Sequence, residues 1–326
     1  MPEQEIRQQR NATFDIIRVV ALIAILMCHS CFDNFPALMG IGRYLGVTFN
    51  FLFLILSAFL LGSSWNNKGC PKLSFEYVGK RVAKLSKSYY PYLIVLFLFL
   101  YFSQDYFNWR NLMTHTLYLP WFDKIDGFGH LWFMTMIVLC YISIWVLSNL
   151  SKWAYRPNSL IYGALIGGGI DWCLTDIGLP GYMFPYLVGY LFVFTYSNRI
   201  LEVISKCSIS ALLAQFLVIN TIVIWSFYNS LYEKSPFISY LIGMISASSI
   251  FCTFYVLFKN TSRIKFIEWL SGISFEIYLV HEFFLGRFSI YRLVDNALLG
   301  FMTLFSSNLY KASKMHLYTT LIIFVY

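Results

Sequence analysis

Apolar runs about 20 residues long recur along this chain with little between them. FDIIRVVALIAILMCHSCFDN, YLGVTFNFLFLILSAFLLG and YLIGMISASSIFCTFYVLF are three of them. Each is long enough to cross the roughly 30 Å hydrocarbon core of a bilayer. A soluble domain averages about 45–50% apolar and about 25% charged residues. Here the fractions are 58% and 12%, so a soluble core cannot account for the runs. In lipid each segment must satisfy its own backbone polar groups, and a helix does so internally. The sequence therefore predicts an all-α, polytopic transmembrane helix bundle of about ten spans, forming a single domain over residues 1–326.

The spans are predicted at about 15–35, 44–62, 89–103, 130–149, 158–174, 181–197, 209–228, 237–258, 267–286 and 294–310. The connection after the second carries Lys68, Lys72, Lys80, Arg81, Lys84 and Lys87 against Glu76 alone. Basic residues mark cytoplasmic loops. That places the N-terminus in the cytoplasm of a multi-pass protein of the cell (inner or plasma) membrane. The segment HTLYLPWF in the next, outer connection has the character of an interfacial or re-entrant piece. The net charge of +8 comes from these loops. It suits contact with anionic membrane lipid and predicts no nucleic-acid partner. No cleavable signal peptide is evident ahead of the first span.

Ionisable groups inside apolar spans are costly and mark function. Asp15, Arg18 and His29 fall in the first span. At 100° per residue the three share one helix face, with Asp15 and Arg18 spaced to pair. Arg18 and His29 stand about 16 Å apart along the axis, so Arg18 lies near the cytoplasm and His29 toward the far side. His130 opens the fourth span in GFGHLWFM. Ser274, Tyr278, His281 and Glu282 form a polar face in the ninth.

The five histidines and seven cysteines show no metal-ligand or redox spacing, and no metal is expected. A GxSxG elbow, a P-loop and a dinucleotide fingerprint are also missing. These residues alone leave open an enzyme, a transporter or flippase of a glycan or lipid-linked substrate, and a structural membrane protein.

The motifs that carry these residues resemble those of acyltransferase family 3. FDIIRVVALIAILMCH matches the family's first-span pattern DxLRxxAxxxVxxxH with Asp15, Arg18 and His29. FLFLILSAFLLG is similar to FFxxSGFLL, with Ser57 on the matching serine and Ala58 in place of glycine. The basic stretch matches through Arg81, Lys84, Tyr90 and Pro91, with Lys84 where arginine is common. GHLWFM matches through His130, Leu131, Trp132 and Phe133. LSGISFEIYLVHEFF matches through Ser274, Tyr278 and His281. The resemblance covers roughly residues 12–310.

The resemblance implies an integral membrane acyltransferase. It would move an acyl group, acetyl first among candidates, from acyl-CoA to a sugar hydroxyl of a glycan or lipid-linked saccharide. No tightly bound cofactor is implied, and acetyl-CoA or another acyl-CoA is a co-substrate. His29 would be the central catalytic group, as base or transient acyl carrier. Asp15 would orient Arg18, and Arg18 would sit at the donor's entry. His130, His281 and Tyr278 would complete the catalytic cavity. Arg18, Arg81, Lys84, Lys87 and Ser57 would serve donor binding. The topology has a direct check. A single cysteine placed at Lys84 in a cysteine-free background should react with a membrane-impermeant maleimide only in inside-out vesicles.

Overall fold

The computed structural model describes residues 12–29, 39–66, 73–102, 108–125, 127–149, 167–173, 186, 189, 199–229 and 236–283. The expected tenth span, most of the fifth and sixth, and Lys68 and Lys72 lie outside the described residues. Two compact units form, Met1–His281 and Glu282–Tyr326. The account below concerns the first.

Helices in chain order are α1 (Ala12–Met27), α2 (Met39–Asn66), α3 (Phe75–Phe102), α4 (Trp109–Thr116), α5 (Trp132–Asn149), α6 (Arg199–Lys206), α7 (Ile209–Tyr228), α8 (Pro236–Phe258), α9 (Lys265–Gly272) and α10 (Ser274–Glu282). Among the described residues there is no strand. Among the described residues, five segments are long and apolar enough to cross a membrane: Met39–Trp65, Phe75–Phe102, Gly129–Val146, Ile209–Tyr228 and Leu241–Phe258. The chain is thus an all-α protein. The helix α1 has only 16 residues, about 24 Å of rise. A wider, π-type turn at Cys28 and His29 extends it.

The core forms around α2, which packs against α1, α7 and α8. Phe51, Leu52, Leu54, Leu56 and Ala58 of α2 are fully buried. Close packing against α8 needs Gly243, where an added Cβ would come within 2.7 Å of the Phe51 ring. One polar knot ties the three helices. Asn220 of α7 accepts hydrogen bonds through Oδ1 from the hydroxyls of Tyr44 on α2 and Ser246 on α8, and donates to the Phe216 carbonyl. Van der Waals fit and such bonds replace the hydrophobic effect as the force between helices in lipid.

Two predicted boundaries need correction. The basic cluster is not a loop: Lys80, Arg81, Lys84 and Lys87 ride on α3, which starts at Phe75. Val78, Tyr89, Tyr92, Leu93 and Leu96 bury one face of that helix, and the long basic side chains extend from its other faces. The ninth span is not continuous either. It breaks at Ile273 between α9 and α10. Ser271 is drawn toward α1 at this break, and the Ser274 hydroxyl donates to the Ser271 carbonyl.

The connection between α3 and α5 folds back. Trp109 and Leu112 of α4 share an apolar groove with Tyr101, Leu98 and Phe97 of α3, while Thr116 reaches Tyr90. The direction is therefore antiparallel, and the eight residues of α4 run about 12 Å along α3. Tyr89 and Tyr90 donate to the carbonyls of His115 (3.2 Å) and Thr116 (3.0 Å).

His115 is fully buried, and its Nδ1–H donates to the Asn111 carbonyl at 2.7 Å. Burial holds its pKa below the ordinary 6.5. As pH falls through 6.5 the unfolded chain takes up a proton that the folded chain refuses. The stabilising effect is therefore complete above pH 6.5 and shrinks below it. In detergent, the thermal midpoint of the wild type should fall between pH 7.5 and 5, and that of His115→Gln should fall less.

Candidate functional site

The inner face of α1 carries polar groups at both of its ends. At the first end Asp15 is buried, and the Ser271 hydroxyl donates to its Oδ1 at 2.7 Å. Arg18 Nη1 donates to the same Ser271 oxygen at 3.4 Å. Ser271 therefore bridges Asp15 and Arg18 and fastens α1 to the end of α9. The sequence puts Asp15 and Arg18 on one face; the bridging serine comes from another helix.

At the other end His29 approaches two buried histidines. Its ring centroid lies 5.2 Å from that of His281, and His281 lies 4.7 Å from His130. His130 belongs to a 3-10 turn, Gly129–Leu131, that leads into α5. Two hydrogen bonds clamp this turn to α10: His130 Nε2–H donates to the Leu279 carbonyl at 2.9 Å, and the Tyr278 hydroxyl donates to the His130 carbonyl at 3.0 Å. His281 Nδ1 lies 2.6 Å from the Tyr278 carbonyl. A carbonyl only accepts, so Nδ1 of His281 and Nε2 of His130 carry the protons. Each neutral ring then presents a lone pair at its other nitrogen, as a general base requires.

His29, His130, His281 and Tyr278 thus come together, with Arg18 about 16 Å and Asp15 about 21 Å away along α1. His29 and His281 bring ring nitrogens within 4.8 Å of one another. Ser57 is half-buried on α2 and makes no side-chain hydrogen bond among the described residues. Of the basic residues on α3, Arg81 is half-buried with its guanidinium 5.2 Å above the Tyr77 ring. Lys84 and Lys87 are exposed, and Lys80 is paired with Glu76 at 2.8 Å.

A family model described as an acyltransferase domain matches residues 11–325. The chain belongs to acyltransferase family 3. No curated protein and no solved structure shows a significant match to it. Membership makes this a membrane acyltransferase and accounts for ionisable groups inside an apolar bundle. Every polar position that the family motifs single out in the first, fourth and ninth spans lies in one of the two clusters on α1.

Sequence reasoning missed Ser271 and Asp171. Asp171 is 1% exposed in the fifth span, and the rule that singled out Asp15 applies to it equally. Ser271 carries no such signal. The Ser271 bridge predicts coupled energies. Asp15→Ala and Ser271→Ala should each lower stability in detergent by about 1–3 kcal/mol. The double variant should lose clearly less than the sum, as read from denaturation midpoints in a double-mutant cycle.

Proposed function

We propose that this acyltransferase takes an acyl group, acetyl first among candidates, from acyl-CoA at the cytoplasmic face. It delivers the group to a sugar hydroxyl of a cell-surface or exported glycan, with or without a lipid anchor. The observation that carries this reading is the arrangement on α1, where a cationic cluster and an imidazole cluster stand at opposite ends of one short helix. A donor with anionic phosphates at one end of a long flexible arm and a thioester at the other needs that separation.

Arg18, set by the Asp15–Ser271 contact, and Arg81 attract the donor's phosphates. A guanidinium suits that task because its fork matches phosphate oxygens. Lys84 and Lys87, exposed on the same helix as Arg81, add positive charge at the entry. Ser57 lines the path between the ends.

His29 removes the proton from the acceptor hydroxyl as its oxygen bonds to the thioester carbonyl carbon. Collapse of the adduct breaks the carbon–sulfur bond, and the departing thiolate recovers the proton. His281 and His130, each with a lone pair set by a backbone carbonyl, share the positive charge that develops on His29. Tyr278 keeps His130 in place. The plasma membrane, with the N-terminus in the cytoplasm, is the setting in which donor and acceptor are on opposite sides.

His29→Ala should abolish acylation of surface glycans, measured by mass spectrometry at matched protein levels in the membrane. Arg81→Ala should raise KM for the donor about tenfold with a smaller effect on kcat, since one charge-assisted contact contributes roughly 1.5–3 kcal/mol. Wild-type acylation by His29→Ala would overturn the assignment of the base.

A further inference from the structure

Glu276 is an ionisable group in the apolar ninth segment that the acyl-transfer scheme leaves unused. It stands on α10, two residues before Tyr278 and five before His281. An ionisable side chain inside a span is costly and marks function. The Ser88 hydroxyl donates to Glu276 Oε1 at 2.7 Å. Ser88 lies at the middle of α3, which runs from Phe75 to Phe102. The bond therefore meets α3 far from either of its ends. A hydroxyl-to-carboxylate bond is roughly twice as strong as a neutral one.

With nine residues, α10 is short, and its side chains and carbonyls hold the imidazole cluster. One tie fixes it to the turn that bears His130. His130 Nε2–H donates to the Leu279 carbonyl at 2.9 Å, and the Tyr278 hydroxyl donates to the His130 carbonyl at 3.0 Å. Both bonds fall on a single turn of α10, and a helix held at one turn can still swing about it. Glu276 supplies a second tie. It lies one turn before Leu279, about 4.5 Å along the axis, and it reaches α3 instead of the His130 turn. Because α3 packs against α5, and the His130 turn leads into α5, the two ties run to one frame.

We propose that Glu276 is a positioning residue for acyl transfer, whose bond to Ser88 of α3 fixes α10 so that His130 and His281 stand in register with His29. The proposal rests on the acyl-CoA reading for the reaction, but not for the geometry. Glu276 acts through α10 and not on the substrate. As an acid in the first turn of α10 it also favours the helix N-terminus by its charge. Two substitutions separate the roles. Glu276→Gln removes the charge and keeps an oxygen that accepts from Ser88, whereas Ser88→Ala keeps the charge and removes the donor.

The test uses the full-length protein and two readouts. Membrane vesicles that retain the endogenous acceptor give apparent kcat and donor KM for transfer of radiolabelled acetyl from acetyl-CoA, at matched protein levels. The nitrogen NMR signal of His130 Nε2–H, recorded on histidine-labelled protein in detergent without substrate, reports the bond to Leu279. Glu276→Ala and Ser88→Ala should each lower kcat roughly ten- to a hundredfold, the range for a small misplacement of reacting groups, with donor KM within about twofold. Both should shift the His130 signal, and the double variant should lose no more than either single one. Glu276→Gln should keep kcat within about threefold of the wild type and leave the signal in place. Should Glu276→Ala fail to accumulate, Ser88→Ala carries the same test. Wild-type kcat in Glu276→Ala or in Ser88→Ala would overturn the proposal, whatever the His130 signal does. A Glu276→Gln as impaired as Glu276→Ala would overturn it too, because the charge and not the bond would then be at work. A wild type that transfers no acetyl, with a His130 signal that still moves in Ser88→Ala, would overturn the acyl-CoA reading and support the tie.

Discussion

The bond from Ser271 to the buried Asp15 carboxylate governs how the polar parts of this bundle are arranged. A carboxylate removed from water must be met by donors, because the bilayer interior offers none. Ser271 meets that need and also accepts from Arg18. It comes from the end of α9, where the apolar segment breaks. Beyond it, Tyr278 and His281 of α10 meet the turn that bears His130.

The two clusters on α1 differ in kind. The Asp15–Ser271–Arg18 group has charge and satisfied bonds, and it suits holding an anion in place. The histidine group is held by backbone carbonyls of α10, so the proton positions on His130 and His281 follow from the main chain. The α3–α4 hairpin stands beside this machinery. Its groove, about 570 Å³, is lined mostly by apolar and aromatic side chains, Leu93, Ile94, Phe97 and Leu98 among them.

Much of the bundle was legible because hydrophobic length is a one-dimensional property. The predicted spans at 209–228 and 237–258 match α7 and α8 within a residue. Charge misled at α3. Lysines read as a loop, yet a helix tolerates them when one face is apolar and their stems extend along it. The ninth span looked continuous because Ile273 is apolar, and nothing in the local pattern marks the boundary there. Asp15, Arg18, His29, His130, Tyr278 and His281 stood out because ionisable and polar groups are conspicuous in apolar runs. Ser271 did not, since a serine in a span is ordinary.

By itself the sequence determined that this chain lives in a membrane as helices, which residues are too polar to face lipid, and which family motifs they compose. Those facts follow from composition and spacing, because burying an ionised group in hydrocarbon is costly wherever it falls in the chain. Only the tertiary structure decided which of these groups meet. It joined Asp15 to Arg18 through Ser271 and gathered His29, His130 and His281 from three separate segments. Side-chain hydrogen bonds act over about 3 Å, and no pattern along a single helix specifies which neighbour will come that close.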